Sequence, residues 1–226
     1  MIATDLAARL EALTPEFFGV ASCAIRGEKY PVFAEEAVAV SNAVGPRQQE
    51  FFAGRTAARR AMRRARLNEA LVLTGDDRAP IWPEGMVGSI SHTGDLAAAV
   101  VARANDVVAV GLDIEANEGL EQGLWAEILS PNERDWVLAA PVDAQARRAK
   151  LVFSVKECAY KCQYPLTRQL FGFETLAVTF APEGGRFEAR FMRNVGSFTS
   201  GDVINGRYHC DEALIIAVAY ILRKST

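Results

Sequence analysis

Two long helix-forming segments, each followed by a run of short alternating apolar segments, limit what this chain can fold into. Residues 46–67 place Phe51, Phe52, Ala58, Ala61, Met62 and Ala65 at helical spacing behind an initial proline. Residues 87–92, 97–103 and 107–115 then read as strands, with Gly94-Asp95 and Asn105-Asp106 as turns. The order repeats. Ser130-Pro131-Asn132-Glu133 is a capping-box helix start. Residues 143–163 are Ala-rich and free of Gly and Pro, so the helix is expected to stop before Pro165. Residues 174–180, 186–193, 207–210 and 213–222 read as strands, punctuated by Gly184-Gly185 and Gly201-Asp202. Residues 4–13 read as a short helix, and 23–28 and 32–33 as strand fragments. Helix then strands, twice over, predicts an α+β fold in two halves that meet near Gly111.

The strand at 107–115 carries the first chemical signal. Its period-two alternation puts Leu112 and Ile114 on one face and Asp113 and Glu115 on the other, about 7 Å apart. Two adjacent carboxylates repel, and a cation between them relieves the repulsion. Hard oxygen ligands favour Mg²⁺ or Mn²⁺. A solvated acidic turn after the strand is the competing reading. The second signal lies on the later helix, where Glu157 and Lys161 stand four apart and share a face. That spacing fits a surface ion pair. It also fits a metal ligand or base beside a cation that steadies charge on a phosphate, because Phe153 and Tyr160 flank the pair.

Other features set boundaries. A chain of 226 residues buries a core as one domain or two small ones. A net charge of −3 gives no support to a general nucleic-acid binder. The first residues are too polar for a secretory signal. The run at 213–222 is about half the length of a membrane span and reads as a buried strand. Cytoplasmic location and reduced thiols are therefore expected. Cys158 and Cys162 lie one helical turn apart, but no Cys/His pair at zinc spacing accompanies them, which favours buried thiols. Arg55, Arg59, Arg63 and Arg66 form a basic stripe, read at Arg60, Arg63, Arg64 and Arg66 as a solubilising face. Neither phosphate-binding glycine fingerprint of nucleotide enzymes occurs, which argues against a nucleotide hydrolase.

Four blocks in order carry a family resemblance. They are Arg47-Gln48-Gln49-Glu50-Phe51-Phe52-Ala53-Gly54-Arg55, Trp82-Pro83-Glu84-Gly85-Met86-Val87-Gly88-Ser89-Ile90-Ser91-His92, Gly111-Leu112-Asp113-Ile114-Glu115 and Phe153-Ser154-Val155-Lys156-Glu157-Cys158-Ala159-Tyr160-Lys161. Together they resemble the 4′-phosphopantetheinyl transferases, in the subgroup typified by the enterobactin synthetase component D protein. The segment from Pro165 through Phe171-Gly172-Phe173-Glu174 is also similar. Each block alone is weak; four at compatible spacing are specific.

The resemblance implies a monomer of two similar α/β halves with pseudo-twofold symmetry, residues 1–110 and 111–226, and coenzyme A bound between them. It implies Mg²⁺, with Mn²⁺ as an alternative, on Asp113, Glu115 and Glu157, and Glu157 and Lys161 as catalytic residues. Coenzyme A contacts are expected from Arg47, Arg55, Ser91, His92, Lys156 and Lys161. Arg78 stands in a loop where many relatives carry a phosphate-binding lysine. The implied reaction moves phosphopantetheine from coenzyme A to a serine of an acyl or peptidyl carrier protein of fatty-acid, polyketide or nonribosomal peptide synthesis, siderophores included. A non-catalytic scaffold that binds coenzyme A or the carrier is the alternative. Leu120, Leu124, Trp125 and Ile128 read equally as a carrier-docking patch or as core.

Overall fold

A computed structural model describes residues 3–224. The chain divides into two compact units. One runs to Val110 and takes in the chain from Leu222; the other is Gly111–Ile221.

The first unit opens with α1 (Ala3–Leu13), β1 (Gly19–Ala24), the single turn α2 (Ala34–Ala37) and the long α3 (Gly45–Arg64). A small hairpin follows, β2 (Leu73–Thr74) and β3 (Pro80–Ile81), and then β4 (Met86–Thr93) and β5 (Leu96–Arg103). Strands β1, β5 and β4 form an antiparallel sheet in that order, with Val101 opposite Gly19 on one side and Gly88 on the other. Helix α3 packs its small residues Ala53, Ala57, Ala58 and Ala61 against Ala21, Ala97, Ala99 and Val101. The approach is close: a Cβ on Gly19 would lie 1.8 Å from the Ala61 carbonyl oxygen. An alanine stripe thus brings helix and sheet backbones together where larger side chains would hold them apart.

Strand β6 (Val107–Ala116) crosses the boundary between the units. The second unit continues with the short α4 (Trp125–Ile128), α5 (Pro131–Leu138), α6 (Val142–Thr167), β7 (Leu176–Phe180), β8 (Arg186–Phe191), β9 (Val203–Cys210) and β10 (Leu214–Leu222). Its five-stranded sheet has the order β6-β10-β9-β8-β7. Helix α5 begins with the capping box that the sequence shows: Ser130 caps Glu133, and the Glu133 side chain returns to the Ser130 amide. The repeating helix-then-strands order is present, and the fold is α+β.

Several boundaries differ from the sequence expectation. Strand β1 starts four residues before the expected 23–28. Residues 32–33 form no strand; Phe33 is the extended N-cap of α2. These fragments are too short for periodicity to locate. Helix α6 runs through Pro165 to Thr167, where Arg168 ends it in the left-handed conformation with its amide on the Tyr164 carbonyl. A proline in the last turn removes one helical hydrogen bond, so the helix bears it there more easily than in mid-course. Cys23, Cys158 and Cys162 are buried free thiols, while Cys210 is an exposed one. Among the described residues no helix is long and apolar enough to cross a membrane.

Candidate active site

The acidic cluster of the second unit is built where α6 crosses β6. Gly111 allows the contact, since a Cβ there would lie 2.0 Å from the Cys158 carbonyl oxygen. The Cys158 thiol donates to the Gly111 carbonyl at 3.3 Å. Two residues on, Asp113 is buried to 3% exposure, and α6 serves both of its oxygens. Ser154 Oγ donates to Oδ2 at 2.8 Å, and Lys161 Nζ pairs with Oδ1 at 2.6 Å. Glu115, less buried, pairs through Oε2 with Lys150 Nζ at 2.7 Å. Lys150, Ser154, Glu157 and Lys161 follow one another at intervals of four, three and four residues, so one stripe of α6 addresses the β6 carboxylates.

Glu157 is half-buried on that stripe. Burial pushes its carboxyl above the usual range; Lys161 pulls it down, and Asp113 and Glu115 push it up further. All three carboxylates therefore share one electrostatic neighbourhood. Burial depresses the Lys161 ammonium, but the pair with Asp113 and the charge of Glu157 outweigh it and raise its pKa. Among the described residues, no three His, Cys, Asp or Glu side chains are gathered closely enough to hold a metal ion. The donor set still fits a hard divalent cation in kind, with carboxylate oxygens only and mutual repulsion to relieve.

Lys156, expected at a phosphate, has its ammonium engaged within the protein. It is 1% exposed and pairs with Glu133 Oε2 at 2.8 Å, and it donates to the carbonyls of Ile128 at 2.8 Å and Phe173 at 3.1 Å. Its three donors are filled, so none remains for a substrate. Burial lowers its pKa, and Glu133 opposes the shift. Glu133 also accepts from the amides of Ser130 at 2.7 Å and Val178 at 2.6 Å. One buried ion pair thus ties α6 to α5 and β7. A cavity of about 130 Å³ is lined by Lys156, Glu157, Tyr160, Phe171, Gly172, Phe173 and Leu176. Of the four residues read as docking patch or core, Leu120, Trp125 and Ile128 are core at 7%, 5% and 4% exposure, and Leu124 is exposed. The Trp125 indole donates to the Leu120 carbonyl.

The first unit has a basic cluster of its own. Arg47 Nη1 donates to Glu50 Oε2 at 3.0 Å and lies 2.9 Å from His92 Nε2. A guanidinium has no lone pair, so in this contact the imidazole nitrogen can only accept. Ser91, next to His92 on β4, is buried. Arg55 is 6% exposed, stacks over Phe51 with 4.3 Å to the ring centroid, and donates to Thr74 Oγ1 on the β2–β3 hairpin. Its Nε is buried with no hydrogen-bond partner, and burial draws its pKa down to about 10. Arg78, in the turn of that hairpin, is exposed with φ of 65°. Arg59, part of the expected stripe, instead holds Glu36 with both carboxylate oxygens, at 2.7 and 2.8 Å.

Comparison with known proteins decides what this assembly belongs to. Residues 34–102 match the 4′-phosphopantetheinyl transferase N-terminal domain, and residues 109–218 match the 4′-phosphopantetheinyl transferase superfamily. The chain is 36% identical over 193 residues to 4′-phosphopantetheinyl transferase Svp of Streptomyces mobaraensis, covering 82% of this chain and 76% of the relative. It belongs to the 4′-phosphopantetheinyl transferase family. PptT of Mycobacterium tuberculosis is 34% identical over 189 residues, 80% of the transferase and 82% of the relative. Enterobactin synthase component D of Salmonella typhi is 35% identical over 135 residues, 59% and 55% of the two chains. The chain is an enzyme of phosphopantetheinyl transfer rather than a non-catalytic scaffold. Coenzyme A is the family's substrate and carrier proteins its targets.

Proposed function

We propose that this enzyme moves the 4′-phosphopantetheine group of coenzyme A to a serine hydroxyl of an apo carrier protein, in a Mg²⁺-dependent reaction that releases 3′,5′-ADP. The observation that carries this reading is the half-buried Glu157, its carboxyl raised by burial and faced by Asp113, Glu115 and Lys161 beside an aromatic cavity. Asp113, Glu115 and Glu157 would hold the metal, which supplies Lewis-acid neutralisation of the diphosphate. Ser154 holds Asp113 in orientation. Glu157 takes the proton of the attacking serine, and Lys161 steadies negative charge on the leaving 3′,5′-ADP.

In the first unit, Arg47 and His92 contact coenzyme A phosphate. Arg55 offers its unpartnered Nε beside them, and Ser91 and Arg78 add polar contacts. Residues 1–110 thus serve the phosphate and adenine end of coenzyme A, and residues 111–226 the metal and the reacting bond. On this reading the targets are carriers of siderophore, nonribosomal peptide or polyketide synthesis and the enzyme acts as a cytoplasmic monomer; the similarity to enterobactin synthase component D supports a synthase of that kind as the setting.

Mass spectrometry of an apo carrier after incubation with the enzyme, coenzyme A and Mg²⁺ tests the reading. A gain of one phosphopantetheine by wild type, absent with Glu157→Ala or with chelator, is expected. Undiminished transfer by Glu157→Ala would remove Glu157 from the chemistry.

A further inference from the structure

Lys150 stands one turn before Ser154 on the stripe of α6 that carries Glu157 and Lys161. None of the motif blocks includes it. Its ammonium lies 2.7 Å from Glu115 Oε2 and 4.8 Å from the centroid of the Phe153 ring. The two charged side chains are 17% and 25% exposed. An aromatic face and partial burial restrict this ammonium more than a mobile surface pair would be restricted.

Two cations have claims on Glu115. One is Lys150. The other, on the reading proposed above, is a divalent ion. Both cations draw on the charge of one carboxylate and repel each other at this range, so the arrival of one weakens the hold of the other. We propose that Lys150 sets the affinity of this transferase for its divalent cation by competing with it for Glu115. The Phe153 ring gives the displaced ammonium a second partner, so exchange does not require release into water. Lys161 stands in a similar relation to Asp113, but it also serves the substrate. Lys150 therefore isolates the competition from the chemistry.

The test measures Mn²⁺ binding to the full chain without coenzyme A, from loss of the free-ion paramagnetic resonance signal. Lys150→Met keeps an unbranched chain of similar length and removes the charge. It should bind Mn²⁺ about tenfold more tightly, equivalent to ~1.4 kcal/mol. Lys150→Arg should stay near wild type, and Lys150→Gln serves if the Met variant folds poorly. Unchanged or weaker Mn²⁺ binding by a folded, uncharged variant would overturn the proposal. So would equal tightening by Lys150→Arg, which keeps the charge. Glu115→Gln separates the two levels of inference. If it weakens Mn²⁺ binding while Lys150→Met changes nothing, only the competition fails. If Glu115→Gln leaves Mn²⁺ binding intact, the metal reading of Glu115 fails and the competition fails with it.

Discussion

Helix α6 presents charge to two neighbourhoods, and they are finished differently. Towards α5 and β7, Lys156 and Glu133 meet one to one, and every donor of the ammonium has an acceptor. Towards β6, three carboxylates face two ammonium groups, and burial together with the surplus acid raises the Glu157 carboxyl. The first unit repeats the contrast. Arg59 closes on buried Glu36, whereas Arg55 keeps a buried Nε without an acceptor. A balanced, saturated pair fixes elements in place. An unbalanced or unsaturated one stores a demand for a ligand.

Removing one partner of the saturated pair should show the largest effect. Lys156→Ala leaves the Glu133 charge buried, and the loss of unfolding free energy should be about 3–5 kcal/mol. Lys156→Met combined with Glu133→Gln should recover much of it, because neither charge is then left alone. Urea unfolding of the three proteins measures both numbers. A loss below about 1 kcal/mol for Lys156→Ala would mean that the pair does not hold α6, and the contrast between the two faces would collapse.

Lys161 should behave in the opposite way. Its side chain is 31% exposed while Asp113, at 4%, keeps the Ser154 hydroxyl, so Lys161→Ala should cost less stability than Lys156→Ala, about 1–3 kcal/mol. Turnover should fall roughly 10²–10³-fold, the scale of losing one group that stabilises transition-state charge. Carrier modification followed over time, alongside urea unfolding, gives both readings. A variant equally damaged in stability and turnover would place Lys161 with Lys156 among the structural lysines.

The same contrast explains what was legible in the sequence. The Ser130–Glu133 capping box was readable because its signal is local, as were the long helices with their 3.6-residue period. The further duty of Glu133 was hidden, because its partner lies 23 positions away and a charged residue reads by default as exposed. The partners of Lys156 are illegible for the same reason: the motif marks the residue, and spacing does not say which way it points. Lys150 and Ser154 carried a usable signal in their spacing of seven and three residues before Glu157, which puts them on its face. The burial of Arg55 and Arg59 was not readable, since an arginine stripe looks the same whether it meets water or Glu36.

The smallest expected effect sharpens the contrast most, because the open face should be held at a cost in stability. Folding raises the Glu157 carboxyl above its ordinary value of 4.5. Below that value the group is protonated in both folded and unfolded chains, and no penalty arises. As pH rises towards the folded pKa, the unfolded chain releases the proton more readily, so stability declines and the penalty is complete above the folded value. Glu157→Gln, neutral at every pH, should therefore raise the thermal midpoint at pH 7, flatten the decline between acid and neutral pH, and abolish transfer. Thermal unfolding across that range at fixed ionic strength, in EDTA, checks it. A midpoint lowered at pH 7 would mean that the Glu157 charge is better compensated than its neighbours imply, and the face towards β6 would be as closed as the face towards α5.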